Sequence, residues 1–178
     1  DIKLPTESYL AVKTKEQFSL TDNQLEQFKK EAVSKYKTTD EYKGRDFLVL
    51  IIMLNLGLRA GEVLALTWND FDFSNNIVKI NKTIQTKVAL DPQCQNQSLA
   101  LKNSTKTVAG ERYLKLNENT LHYIQELKQY DIRNNINSNY FCCCKNNTRQ
   151  CARNLQRSLD RLTRNIKSDE HITLHTLR

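Results

Sequence analysis

LNLGLRAGEVLALTWNDFD, running from Leu54 to Asp72, is the stretch on which the reading of the fold turns. It opens as the end of an apolar helix and breaks at Gly57. Arg59 follows, and a short helix restarts with Glu62 under an apolar face of Val63, Leu64 and Leu66. Arg is rarely buried unless paired, so a guanidinium where a buried helix ends needs a partner. Glu62, three residues on and on the same helix face, is placed to be that partner. Taken alone, such a pair can also do no more than pin a helix turn in an ordinary core.

Upstream, Asp46 to Leu56 is apolar nearly all round, the pattern of a central buried helix. Thr21 and Gln24 form the S/T-x-x-E/Q capping box of a first helix, whose stripe is Leu25, Phe28, Ala32 and Tyr36. Residues 1–17 hold one Pro, scattered charge and no sustained periodicity, and read as a linker. Downstream, Ser74-Asn75-Asn76 is a turn cluster, and Ile77 to Ile84 reads as a strand. Val88 to Ser98 reads as an exposed connection, Leu99 to Leu101 as a short second strand, and Arg112 to Leu116, after a turn at Gly110, as a third. Helices are expected over Asn119–Tyr130 and Gln150–Lys167, with Tyr140–Cys144 as a short extended piece between them. Thr173 is expected to cap a last helix carrying His175 and Arg178. Three short antiparallel strands amid helices make an α+β pattern, mainly helical with a small three-stranded antiparallel sheet.

The chain of 178 residues fits one domain, or one domain plus a linker. A net charge of +7 and a pI near 9.2 point to a polyanionic partner, most often nucleic acid. Arg149, Arg153, Arg157 and Arg161 recur every fourth residue opposite the stripe Leu155, Leu159, Leu162 and Ile166. They suit either contacts to a DNA backbone or a solvated helix face. No apolar run is long enough for a membrane span, so no membrane partner is expected. Five Cys, three of them consecutive at Cys142 to Cys144, suggest free thiols in a reducing, cytoplasmic setting. With Cys151 they lack the CxxC pairs and His ligands of a zinc site. There is no GxxxxGK[ST] loop for ATP, so no cofactor is expected.

Gly57, Leu58, Arg59, Glu62, Leu66, Trp68 and Asp70 fill a pattern that resembles the first active-site box of the tyrosine recombinases, the phage integrase family. Lys106, in Lys-Thr-x-x-Gly-x-Arg, resembles the family's lysine hairpin, with Lys102 as the competing candidate. His175 and Arg178, in LHTLR, resemble its second box, His-x-Leu-Arg, and SLTDNQLEQF resembles the start of its catalytic domain. The resemblance implies a catalytic domain over residues 18–178, with 1–17 as the linker from a missing DNA-binding domain. It implies metal-free cleavage and rejoining of double-stranded DNA through a 3′-phosphotyrosyl intermediate, with the family's tetramers forming on DNA and the fragment itself monomeric. Arg59 and Arg178 would grip the scissile phosphate, Lys106 would protonate the leaving 5′-oxygen, and His175 would move the nucleophile's proton. Glu62 would orient Arg59. Family members carry the attacking tyrosine beyond the second Arg, and none of the seven Tyr here stands there. The chain is therefore expected to stop short of its nucleophile and to bind phosphate without cleaving. A DNA-binding relative that has lost catalysis and a type IB topoisomerase are the alternatives.

Overall fold

The computed structural model describes residues 19–39, 43–87, 98–102, 111–144 and 146–178. The linker read over residues 1–17, most of the Val88–Ser98 connection, and Lys106 lie outside the described residues.

Helix α1 (Asp22–Thr38) starts as its capping box requires. Thr21 Oγ1 accepts from Gln24 N at 3.3 Å, and Gln24 Oε1 accepts from Thr21 N at 2.9 Å. Its stripe of Phe28, Ala32 and Tyr36 packs on α2 (Lys43–Leu56), in which every residue from Gly44 to Met53 is buried. That burial takes in two charged residues which the apolar pattern alone does not explain. Arg45 donates to both carboxylate oxygens of Asp131, at 2.6 and 2.9 Å, and to the carbonyl of Phe141 at 2.7 Å. Asp46 accepts from Ser158 Oγ at 2.6 Å and from Gln150 Nε2 at 3.4 Å. Buried charges are tolerated only when hydrogen-bonded, and these partners tie α2 to α4 (Glu118–Arg133) and α5 (Ala152–Thr163).

The read strand Ile77–Ile84 is in fact two. Strand β2 (Ile77–Ile80) is the centre of a three-stranded antiparallel sheet, between β1 (Phe71–Asp72) and β5 (Arg112–Lys115). Strand β3 (Thr83–Lys87) pairs instead with β4 (Ser98–Lys102) in a separate hairpin ladder. A period of two through the buried Val78, Ile80 and Ile84 would also bury Lys82. The chain breaks there, and Lys82 Nζ finds Asp70 Oδ2 at 2.6 Å. The expected Leu99–Leu101 strand therefore belongs to the second sheet, and Phe71–Asp72 completes the first.

Helix α5 begins later than the amphipathic pattern suggests, at Ala152 and not Gln150. Residues just ahead of its N-cap, Cys151, are occupied elsewhere: Arg149 bridges Cys143, and Gln150 N donates to the carbonyl of Cys142 at 3.0 Å. The last expected helix is a hydrogen-bonded turn, with Thr176 N donating to Thr173 O at 3.0 Å and Arg178 N to His175 O at 3.3 Å. Among the described residues no helix is long and apolar enough to cross a membrane.

Candidate active site

Local backbone chemistry explains how Arg59 comes to face outward. Helix α2 ends at Gly57, whose φ of 59° lies in the left-handed region that suits glycine. Gly57 N donates to Leu54 O at 3.2 Å and Leu58 N to Met53 O at 3.1 Å, the paired bonds of a Schellman motif. The turn sends Leu58 into the core, fully buried, and leaves the next residue outside. Arg59 then becomes the N-cap of α3 (Ala60–Ala65), with its carbonyl accepting from Glu62 N and Val63 N, both at 3.0 Å.

Glu62 is the third residue of that helix, and its side chain is only 2% exposed. Its carboxylate accepts four hydrogen bonds. Arg59 N at 2.8 Å and Arg59 Nη1 at 3.0 Å supply two, and Arg112 Nη1 and Nη2, both at 2.9 Å, supply the others. Burial by itself would push the Glu62 carboxyl up, but the hydrogen bonds from Arg112 and Arg59 hold it at about 2. The Arg112 guanidinium is raised in turn, chiefly by its bonds to Glu62. The Arg59 side chain is 53% exposed and spends one Nη1 bond on Glu62.

Two close approaches fix this cluster. A Cβ on Gly61 would fall 2.5 Å from Thr83 Oγ1 and 2.7 Å from the Ile84 carbonyl, so α3 rests directly on the backbone of β3. Below α3, Thr67 N and Oγ1 both donate to Asp70 Oδ2 at 2.7 Å, the oxygen that also takes Lys82. Trp68 packs edge-on against Phe141 at 5.3 Å. The tryptophan and Asp70 of the opening stretch thus fix the turn that follows α3.

His175 and Arg178 sit together on the final turn, both exposed, while Ile172, Leu174 and Leu177 are buried. Gln156 on α5 clamps the segment before them: its Nε2 donates to the Ile172 carbonyl at 3.1 Å, and its Oε1 accepts from Leu174 N at 2.9 Å. Thr173 and Thr176 close the turn, each side chain accepting from the other's backbone N–H. Among the described residues no hydrogen bond or ion pair links Arg59 or Glu62 to His175 or Arg178. The structure therefore joins Arg59 with Glu62, and His175 with Arg178, as two separately anchored groups.

Of the arginine ladder, Arg153 and Arg157 are exposed on α5, opposite the buried Leu155, Leu159 and Leu162. Arg149 lies before the helix, and its guanidinium stacks on the Tyr140 ring at 4.6 Å. Two residues that sequence reasoning left without a role are Arg112 and Gln156. Arg112 was visible as the closing residue of Lys-Thr-x-x-Gly-x-Arg, whereas nothing local marks Gln156. Among the described residues no cluster of His, Cys, Asp or Glu is arranged to hold a metal ion.

Residues 19–178 match the sequence model of the Phage integrase family. The integrase of Staphylococcus phage L54a is 26% identical over 129 residues, which cover 68% of this chain and 34% of that protein. A Tn1549 transposon integrase variant, in complex with transposon right end DNA, superposes with a TM-score of 0.68 at 20% identity, over 98% of this chain and 54% of that one. XerH recombinase, bound to a palindromic difH substrate in a post-cleavage complex, gives a TM-score of 0.58 at 18% identity, over 92% of this chain and 40% of that one. At such identities the structural likeness shows the fold. The chain spans about a third of the phage integrase's length.

Proposed function

Because the chain belongs to the phage integrase family, we propose that it carries the phosphate-gripping centre of a site-specific DNA recombinase. The reaction is metal-free cleavage and rejoining of duplex DNA through a 3′-phosphotyrosyl intermediate. A tyrosine oxygen bonds to phosphorus, the bond to the 5′-oxygen breaks, and the reverse exchange rejoins a strand. Arg59 and Arg178 hold the non-bridging oxygens by forked hydrogen bonds and stabilise the charge of the five-coordinate transition state. Lys106 gives the leaving 5′-oxygen its proton, and His175 takes part in moving the proton of the nucleophile. Glu62 orients Arg59. The nucleophile is assigned to a tyrosine beyond the His-x-Leu-Arg box, where the family pattern has it.

The supporting observation is the state of Arg59: bonded to Glu62, half exposed, with one side-chain hydrogen bond among the described residues. Arg153 and Arg157 on the outer face of α5, with Arg149 against Tyr140, are assigned to the DNA backbone. Assembly on DNA as a tetramer belongs to the same proposal.

The test is a suicide DNA substrate carrying the element's own recombination site, incubated with the protein as its gene encodes it. A covalent protein–DNA adduct is expected, reduced roughly a hundred- to a thousandfold in Arg59→Lys. Undiminished adduct from Arg59→Lys would overturn the assignment. Site-specific binding with no adduct would favour a non-catalytic relative, and relaxation of DNA lacking the site a topoisomerase.

A further inference from the structure

We infer that Arg112 is a positioning residue that keeps Arg59 available to a phosphate by occupying half of the Glu62 carboxylate. The inference rests on the reading of Arg59 given above.

A carboxylate offers about four acceptor positions, and a guanidinium five N–H donors in a rigid fork. All four positions on Glu62 are filled: one by a backbone N–H, one by Arg59 Nη1, and two by the paired Nη atoms of Arg112. The two arginines therefore use the same anion differently. Arg112 engages it fork-to-fork through both terminal nitrogens and is 27% exposed. Arg59 touches it with a single Nη1 and is 53% exposed, so most of its fork has no partner among the described residues.

Charge leads to the same conclusion. One carboxylate between two guanidiniums leaves the cluster with a net positive charge, and the more exposed guanidinium is the one that presents it to solvent. Without Arg112, two acceptor positions on a buried carboxylate would stand empty, a costly state. The Arg59 guanidinium already touches this carboxylate through Nη1 and has further donors to offer it. Its fork would then turn inward to a bidentate pair with Glu62, its charge cancelled and its geometry lost to an incoming phosphate. Arg112 opens β5 and reaches Glu62 across 50 residues of sequence, so the state of Arg59 is set from a strand outside its own box.

A double-mutant cycle in single-turnover cleavage of the suicide substrate tests this. Arg112→Met is expected to lower the rate about tenfold to a hundredfold, and Arg59→Lys by more. In the Arg59→Lys background, adding Arg112→Met should cost less than about twofold, because Arg112 acts through Arg59. Equal losses in both backgrounds, as from general damage to the fold or a direct DNA contact, would overturn the inference. So would a full rate from Arg112→Met alone. If thermal melting shows that Arg112→Met does not fold, Arg112→Lys takes its place, keeping the charge but not the fork. An intermediate rate is then expected, and a wild-type rate would overturn fork-to-fork sharing. Absence of any adduct from the unaltered protein sinks the reaction itself. An adduct that depends on Arg59 but not on Arg112 sinks only this inference.

Discussion

Two of the arginines that pair with carboxylates, Arg45 and Arg59, differ in what is left over. Arg45 is wholly buried and saturated: Asp131 takes two of its bonds and the Phe141 carbonyl a third, with the Tyr140 carbonyl at 3.4 Å. Arg59 shares its carboxylate with a second arginine, is 53% exposed, and makes one side-chain hydrogen bond among the described residues. The first arrangement, one anion to one cation with all three guanidinium nitrogens bonded, holds helices together. The second, one anion to two cations, leaves a net positive charge among the described residues. Donors left over after pairing, like exposure, set the pair that braces helices apart from the one proposed to grip phosphate.

The largest expected effect that sharpens this contrast is on stability. Arg45→Met leaves Asp131 buried without its partner and should lower the unfolding free energy by about 3–5 kcal/mol, read from urea denaturation. Arg45→Met with Asp131→Leu, which removes both charges, should recover most of that loss. Arg59→Lys should do the reverse, with a denaturation midpoint close to the parent's and cleavage lower by roughly 3–4 kcal/mol of transition-state stabilisation. A midpoint that collapses in Arg59→Lys would erase the distinction. The polar clamp at the start of α2 is of the closed kind, so Ser158→Ala, which takes away the 2.6 Å bond to Asp46, should cost about 1–3 kcal/mol with no separate effect on cleavage.

Acid titration gives the smallest and most specific effect. The Glu62 carboxyl is held at about 2 against an ordinary 4.5. A carboxylate depressed in the folded state stabilises the fold above its unfolded pKa and loses that contribution as pH falls toward the folded value. The parent's melting temperature should therefore drop more steeply than that of Glu62→Gln between pH 4.5 and about 2. Above about pH 5 the two slopes should match. Parallel curves through the acid window would mean that Glu62 is not held as an anion by its two arginines.

What was legible in the sequence is what is local. The Thr21 capping box, the buried run of α2 and the Gly57-Leu58-Arg59 turn are each fixed by residues within a few positions, and each is present. The Arg59–Glu62 pair, one helical turn long, was readable for the same reason. The partners that complete those features come from far along the chain. Arg45 meets Asp131 across 86 residues, Asp46 meets Ser158 across 112, and Glu62 meets Arg112 across 50. No periodicity records such pairings. The division of Ile77–Ile84 between two sheets was hidden likewise, because propensity favours strand throughout and only the Lys82–Asp70 ion pair shows where the path changes.

The approach of Gly61 to Thr83 Oγ1 and the Ile84 carbonyl means that the short helix has no room for a side chain of its own against the strand beside it. A single added methyl would act as a wedge, prising that helix and its guanidinium away from the hairpin while every charged residue stayed in place. The centre can thus be disabled at a position that carries no chemistry, and a tolerance for glycine alone there would reflect steric fit and not reactivity.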